Sequence, residues 1–421
     1  MSKVKVMLVR YVGVALSAVI ALLSLKVFLN YSPQDGATLI AMVGWLLFVP
    51  VMQFGYGRPC YAIVRQKREA GEDVFQLVKK FTNVFSYQAM GSCFVLLFIT
   101  YILAVSQEFT GEKSDLLIFA LGLASLSVCT LKRDLAYSLD VEIQYETLET
   151  LRRLFGVFMY LGLYYGLGLL GVGVFGLIVG VSSFFLMRSI ILSPLKVNKS
   201  EQLTSVRPEL ITKAFRVQAF HYWGFTFSEL VFYNIPLIVF TLYPSAVGMA
   251  YYGVWSKFFL FLALPYRIFI DTKMNSIISL YFNELKKLVR TGLKVCIISS
   301  AAIAFFCFFV FYYLAPKLAG WIGGEAQVLD PYFMISLALW VCGNIIQHTF
   351  GSFVLSYGGG FKFSFIASLI CVGVIGTVFS VSYSVESNVG YSLFLAGIVY
   401  ALFSITYFIK AAIITTYKSS K

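Results

Sequence analysis

The chain has 421 residues, of which 59% are hydrophobic and only 13% charged, with a mean hydropathy of +0.82. A soluble protein carries about 25% charged residues, so this composition excludes a soluble domain of any size. A net charge of +13 would suggest nucleic acid as the partner of a soluble chain, but here the cations collect between apolar runs and read as membrane topology instead.

Twelve apolar runs follow one another at 6–29, 38–56, 83–106, 115–131, 154–170, 174–192, 214–240, 249–270, 293–314, 331–356, 363–383 and 390–411. Each is near the ~20 residues that a helix needs to cross hydrocarbon. The short alternating strands of a membrane barrel are missing, so the expected fold is an all-α polytopic membrane protein. The first run is too long for a signal-peptide core and lacks a small-x-small exit, and reads as a retained helix. Placing the N-terminus in the cytoplasm puts 29 of the 33 Lys and Arg on the inner side, leaving Lys113 and Lys317 outside and Lys26 and Lys257 within spans. The positive-inside rule therefore predicts that both termini are cytoplasmic.

Between the spans, 68–81 and 275–290 read as basic amphipathic helices on an anionic leaflet. The segment 193–213 has the composition of a linker and divides the chain into residues 1–192 and 214–421, six spans each. The outer loop at 315–330 is the longest. Gly358-Gly359-Gly360 reads as a tight inner turn, since the rest of a phosphate-binding loop is missing.

The two halves share a short pattern. Asn30-Tyr31-Ser32-Pro33 leads to Gly36, Gly44-Trp45 and Arg58, while Thr241-Leu242-Tyr243-Pro244 leads to Gly248, Gly253, Trp255 and Arg267. An even number of spans per half gives both halves the same orientation. The expectation is two six-helix bundles related by a pseudo-two-fold axis normal to the membrane, the layout of a transporter. Arg10, Ser17 and Ser24 recur every seven residues on one face of the first span, as do His221 and Ser228 on the seventh. Such polar stripes face a cavity or a neighbouring helix.

Charged groups inside spans are expensive to leave facing lipid. Lys257 lies about one-third of the way across its span, and lines a wet cavity, pairs, or snorkels. Lys26 is close enough to a helix end to snorkel. Glu229 is the one acid in mid-span, either titrating or pairing with a lysine such as Lys257. His348 shares a helix face with Asn344, with Gln347 adjacent. Arg10, Arg58 and Arg267 sit at inner helix ends, where they anchor topology or together attract an anion of phosphate geometry. The seven cysteines form neither a CxxC pair nor a metal-ligand spacing and read as small packing residues. No hydrolase, metalloprotease or nucleotide-binding signature is present, so neither an enzyme nor a bound cofactor or metal is expected.

Ala246-Val247-Gly248-Met249-Ala250-Tyr251-Tyr252 followed by Lys257, with Phe54-Gly55-Tyr56-Gly57-Arg58 in the first half, resembles the polysaccharide-transporter branch of the multidrug/oligosaccharidyl-lipid/polysaccharide (MOP) exporter superfamily, and within it the Wzx-type O-antigen flippases. The resemblance implies a protein of the bacterial inner membrane. It would carry an undecaprenyl-pyrophosphate-linked oligosaccharide from the cytoplasmic to the periplasmic leaflet by alternating access, beside a polysaccharide polymerase and chain-length machinery. On that reading Lys257, Arg10, Arg58, Arg267 and Lys26 attract the pyrophosphate, and Glu229, His221 and His348 are candidates for H+ or Na+ coupling. The alternative is a cation-coupled antiporter of drugs or small solutes from the same superfamily, which the excess of intramembrane cations disfavours.

Overall fold

An apolar segment in lipid has no water to satisfy its backbone, and a helix closes nearly every N–H and C=O within the segment itself. The computed structural model describes residues 3–196, 213–280, 285–313, 330–356 and 360–418, with 317, 320 and 321 between them. Among these residues every regular element is helical. In chain order they are α1 (Lys3–Phe28), α2 (Pro33–Trp45, running on as a 3-10 segment Leu46–Gln53), α3 (Gly57–Glu69), α4 (Phe75–Ser106), α5 (Lys113–Ser127, running on through the 3-10 turn Val128–Lys132), α6 (Arg133–Ser138), α7 (Glu142–Tyr164) and α8 (Leu169–Lys196). There follow α9 (Lys213–Tyr233), α10 (Ile235–Leu242), α11 (Ala246–Leu280), α12 (Leu285–Tyr313), α13 (Pro331–Ser356), α14 (Gly360–Glu386) and α15 (Val389–Lys418).

Each of the twelve expected spans coincides with a helix or a pair of consecutive elements. Among the described residues nine helices are long and apolar enough to cross a membrane, and α9 with α10, bent by 69°, makes a tenth. The first half of α7 carries Glu142, Glu146, Glu149, Arg152 and Arg153, which keeps it out of that set.

The chain forms two compact units, Met1–Leu230 and Val231–Lys421. The division falls inside α9. Residues 197–212 of the expected linker lie outside the described residues, as do most of the 315–330 loop and Gly358-Gly359.

In the first unit α1 packs on α7, α5 on α8, and α3 on α6. The α5–α8 crossing is close because small residues meet there. A Cβ on Gly173 would lie 2.6 Å from the Phe119 nitrogen, and Ser125 Oγ donates to the Gly176 carbonyl at 3.2 Å. Lipid tails are as apolar as the helix surface, so close backbone approach and such bonds drive association here. In the second unit α13 packs on α15, with α11 and α12 against α13 and α14 against α15.

The two copies of the sequence repeat start alike and then diverge. Ser32 caps α2 by accepting from the Asp35 N–H at 3.2 Å, and Ser245 accepts from the Gly248 N–H at 3.1 Å at the start of α11. The first copy then breaks. Pro50 sits in the 3-10 segment, and Phe54 and Gly55 both turn left-handed (φ 48° and 72°) before α3 begins. The second copy continues through α11 for 35 residues. The amphipathic helix after the break is α3, residues 57–69, whereas 75–81 opens the long apolar α4. This corrects the expected 68–81 surface helix. The polar 70–74 turn separates the two, and among the described side chains of α3 Arg65 and Arg68 are matched by Asp140 and Lys67 by Glu72. Residues 281–284 of the second expected surface helix, 275–290, lie outside the described residues.

Gly55 has no room for a side chain as well as a positive φ, because a Cβ would overlap the Ala219 carbonyl and crowd the Trp223 nitrogen on α9. Gly55→Ala is therefore expected to destabilise the protein by at least about 2 kcal/mol, through strain and overlap together. Thermal unfolding in detergent checks this, and an unchanged midpoint would contradict it.

Candidate functional site

Charge inside the first unit is concentrated where α1, α6 and α7 meet. Arg10 on α1 shares its Nε between Glu146 Oε1 and the Tyr137 hydroxyl, each at 3.0 Å, and its Nη2 also donates to Tyr137. Tyr137 in turn donates to the same carboxylate. One turn along α7, Glu149 is 4% exposed and is gripped by Arg152 and Arg153. Burial alone would raise the Glu149 carboxyl. The charge and hydrogen bond of Arg152, with Arg153 and Arg133 behind it, hold it below its ordinary value instead.

Lys132 is the more unusual group. It is fully buried, its ammonium lies 3.3 Å from the centre of the Phe184 ring, and the Phe184 carbonyl is 3.5 Å away. Among the described residues no carboxylate pairs with it. The sequence places Lys132 at the start of an inner loop, and nothing in its neighbours shows that the 3-10 turn carries it inward against α8.

The second unit contains a buried network without net charge. Tyr233, at the break between α9 and α10, contacts the Tyr400 hydroxyl at 2.5 Å and donates to Gln347 at 3.3 Å, and Asn344 donates to it. Tyr400 donates to Gln347 at 2.5 Å. Beside the break, Asn234 accepts from the Tyr252 hydroxyl at 2.6 Å. Trp255 and Trp340 pack edge to face against the network, with ring centres 5.6 Å apart. On α13, Asn344 and Gln347, three residues apart, both join this network. Tyr233 and Tyr400 carry no signal in the sequence beyond being two of 27 tyrosines.

Lys257 lies in α11 two residues beyond Trp255 and is partly buried. No carboxylate of the second unit pairs with it among the described residues. Lys26 is in the last turn of α1, and His221 and Glu229 are partly buried on α9, His221 beside the Phe220 ring. His348 is partly buried on α13. Arg58 and Arg267 have helical backbones in α3 and α11, and their side chains lie outside the described ones. The serines of the polar stripes bond to their own helices: Ser17 to Gly13, Ser24 to Ala21 and Ser228 to Gly224. Six cysteines carry no disulfide among the described residues.

No known family model matches this sequence, and no curated protein matches it either. Solved structures do. A MATE transporter in complex with MaL6 superimposes with a TM-score of 0.69, at 13% identity over 99% of this chain and 96% of that one. An inward-facing multidrug resistance MATE family transporter of the MOP superfamily gives 0.67, at 12% identity over 96% of both chains. The fold is MATE-like. A MOP superfamily transporter from Pyrococcus furiosus, described by the reverse polarity of its binding pocket, gives 0.58 at 12% identity over 98% of this chain and 95% of that one. The chain is thus a helical membrane protein with two helical bundles, and the structures it resembles are transporters. At these identities the likeness extends to the MATE-like backbone, and the side chains have to be read on their own.

Two outcomes follow from the geometry. Glu149 has a lowered value in the folded protein, so it contributes stability above about pH 4.5 that is lost as pH falls through the folded value. Thermal melts below pH 4.5 should show wild type losing stability faster than Glu149→Gln, and parallel curves would contradict the pairing. Tyr400→Phe should cost about 1–3 kcal/mol by removing the hydroxyl that bonds both Tyr233 and Gln347, measured as a lower unfolding midpoint. An unchanged midpoint would show that the network does not support the bundle.

Proposed function

We propose that the chain is a flippase for an undecaprenyl-pyrophosphate-linked oligosaccharide, moving it from the cytoplasmic to the periplasmic leaflet of the bacterial inner membrane by alternating access, with both termini in the cytoplasm. The observation that carries this reading is the sign of the unmatched charge. Lys257 in the second unit and Lys132 in the first have no carboxylate partner within their own units among the described residues, whereas Glu146 and Glu149 are committed to arginines. A buried cation without a counter-ion is costly in the resting protein, and an anionic cargo offsets that cost when it binds. A pyrophosphate supplies such an anion. Lys257 offers a point charge to it. Arg10, Arg58, Arg267 and Lys26 would add to the attraction, and Glu229, His221 and His348 are the groups available to couple H+ or Na+ movement. A polymerase and its chain-length partners would consume the product.

The second reading is a cation-coupled antiporter of drugs or small solutes. What favours it is the description of the structural neighbours as multidrug transporters. Such a cargo is cationic, and the matched carboxylates of the first unit leave it little to bind.

Binding competition separates the two. Purified protein should hold a fluorescent polyprenyl-pyrophosphate oligosaccharide and release it to inorganic pyrophosphate, while a lipophilic cationic dye does not compete. Lys257→Ala should weaken that binding about tenfold, the loss of about one charge-assisted contact. Tight binding of the dye, with an oligosaccharide affinity indifferent to Lys257, would contradict the proposal.

A further inference from the structure

Where α1, α6 and α7 meet, two cations among the described residues make no ion pair, Lys132 and Arg133. Arg10 is matched by Glu146, and Arg152 and Arg153 share Glu149. Asp134 faces the start of α3, where its carboxylate is the atom that a Cβ on Gly57 would meet. Arg133 is left. It is exposed, although Lys132 before it and Leu135 after it are fully buried. Among the described residues its guanidinium makes no ion pair and no hydrogen bond. Its guanidinium lies over the Tyr137 ring, whose centre is 5.4 Å from Arg133 Cζ and 5.0 Å from Arg10 Cζ.

We propose that Arg133, with Arg10 beside it on the same tyrosine, is a phosphoryl-oxyanion site of the first unit, of the kind that a pyrophosphate group fills. This rests on the anionic-cargo reading above and gives it a second contact, far in sequence from Lys257. Contact with the ring restrains the planar guanidinium without using any of its N–H donors. An unused five-donor fork suits the tetrahedral face of a phosphoryl group, which accepts two parallel hydrogen bonds. Arg10 already gives donors to Tyr137 and Glu146, so its part is to add positive field and to fix the ring. Lys132 is turned onto Phe184 and leaves the fork to Arg133. The ligand chemistry is shared by a lipid-linked pyrophosphate and by the phosphate of an anionic lipid headgroup.

The test uses the full chain in nanodiscs of neutral phosphatidylcholine, titrated with inorganic pyrophosphate and followed by calorimetry. Wild type should bind. Arg133→Gln should weaken binding about tenfold, and Arg133→Lys, which keeps the charge and loses the fork, several-fold, with unfolding midpoints unchanged for both. Repeating the titration in phosphatidylglycerol nanodiscs identifies the source. Weakening of wild-type binding assigns the site to lipid headgroups, unaltered binding assigns it to the cargo, and both agree with an oxyanion site. Pyrophosphate binding that is absent in wild type, or the same in wild type and Arg133→Gln, would overturn the proposal. The flippase reading is decided separately by the Lys257 competition, so either can fail alone.

Discussion

A charge within the hydrocarbon layer has to be matched, hydrated or moved to the edge, and the arrangement of both bundles follows from how each charge meets that condition. The carboxylates of α7 are matched within the first unit by Arg10, Arg152 and Arg153. The Tyr137 hydroxyl joins Arg10 to Glu146, so α1, α6 and α7 are tied at one end by a charged knot. The second unit meets its polar demand with neutral groups, tyrosine hydroxyls and side-chain amides closed on one another at the break between α9 and α10. Among the described residues the cations without an ion pair include Lys132 against an aromatic ring, Lys257 in α11, and Arg133 exposed beside Tyr137.

Helices were legible in the sequence because their signal is local. Twelve apolar runs of membrane length are a property of consecutive residues, and the backbone in lipid leaves little choice. The Phe54-Gly55 motif could be seen but not explained, since the need for glycine comes from α9 passing over it more than 160 residues later in the chain. The amphipathic helix was misplaced by about ten residues because its charge pattern runs without interruption into the start of α4.

The site was less legible, and the reason is again distance along the chain. Arg10 reads as a cation near a helix end, but its partner Glu146 is 136 residues away, beyond the reach of any local pattern. Lys132 looked like an ordinary loop lysine until the 3-10 turn was seen to carry it against Phe184. Seven-residue spacing correctly put the serines of α1 and α9 on shared faces. Periodicity says nothing of where a hydroxyl donates, and these donate to their own helices. Structural neighbours at 11–14% identity share the path of the backbone, and the chemistry of transport depends on side chains that so low an identity does not carry across.

The central claim is that this backbone carries an anionic lipid-linked cargo, and transfer between leaflets tests it most directly. Purified protein would be reconstituted in liposomes holding a fluorescent polyprenyl-pyrophosphate oligosaccharide, and an external quencher would follow its arrival in the outer leaflet. The account predicts protein-dependent exchange that inorganic pyrophosphate inhibits and that Lys257→Ala abolishes. Absence of exchange under imposed proton and sodium gradients, together with uptake of cationic dyes by the same liposomes, would contradict it.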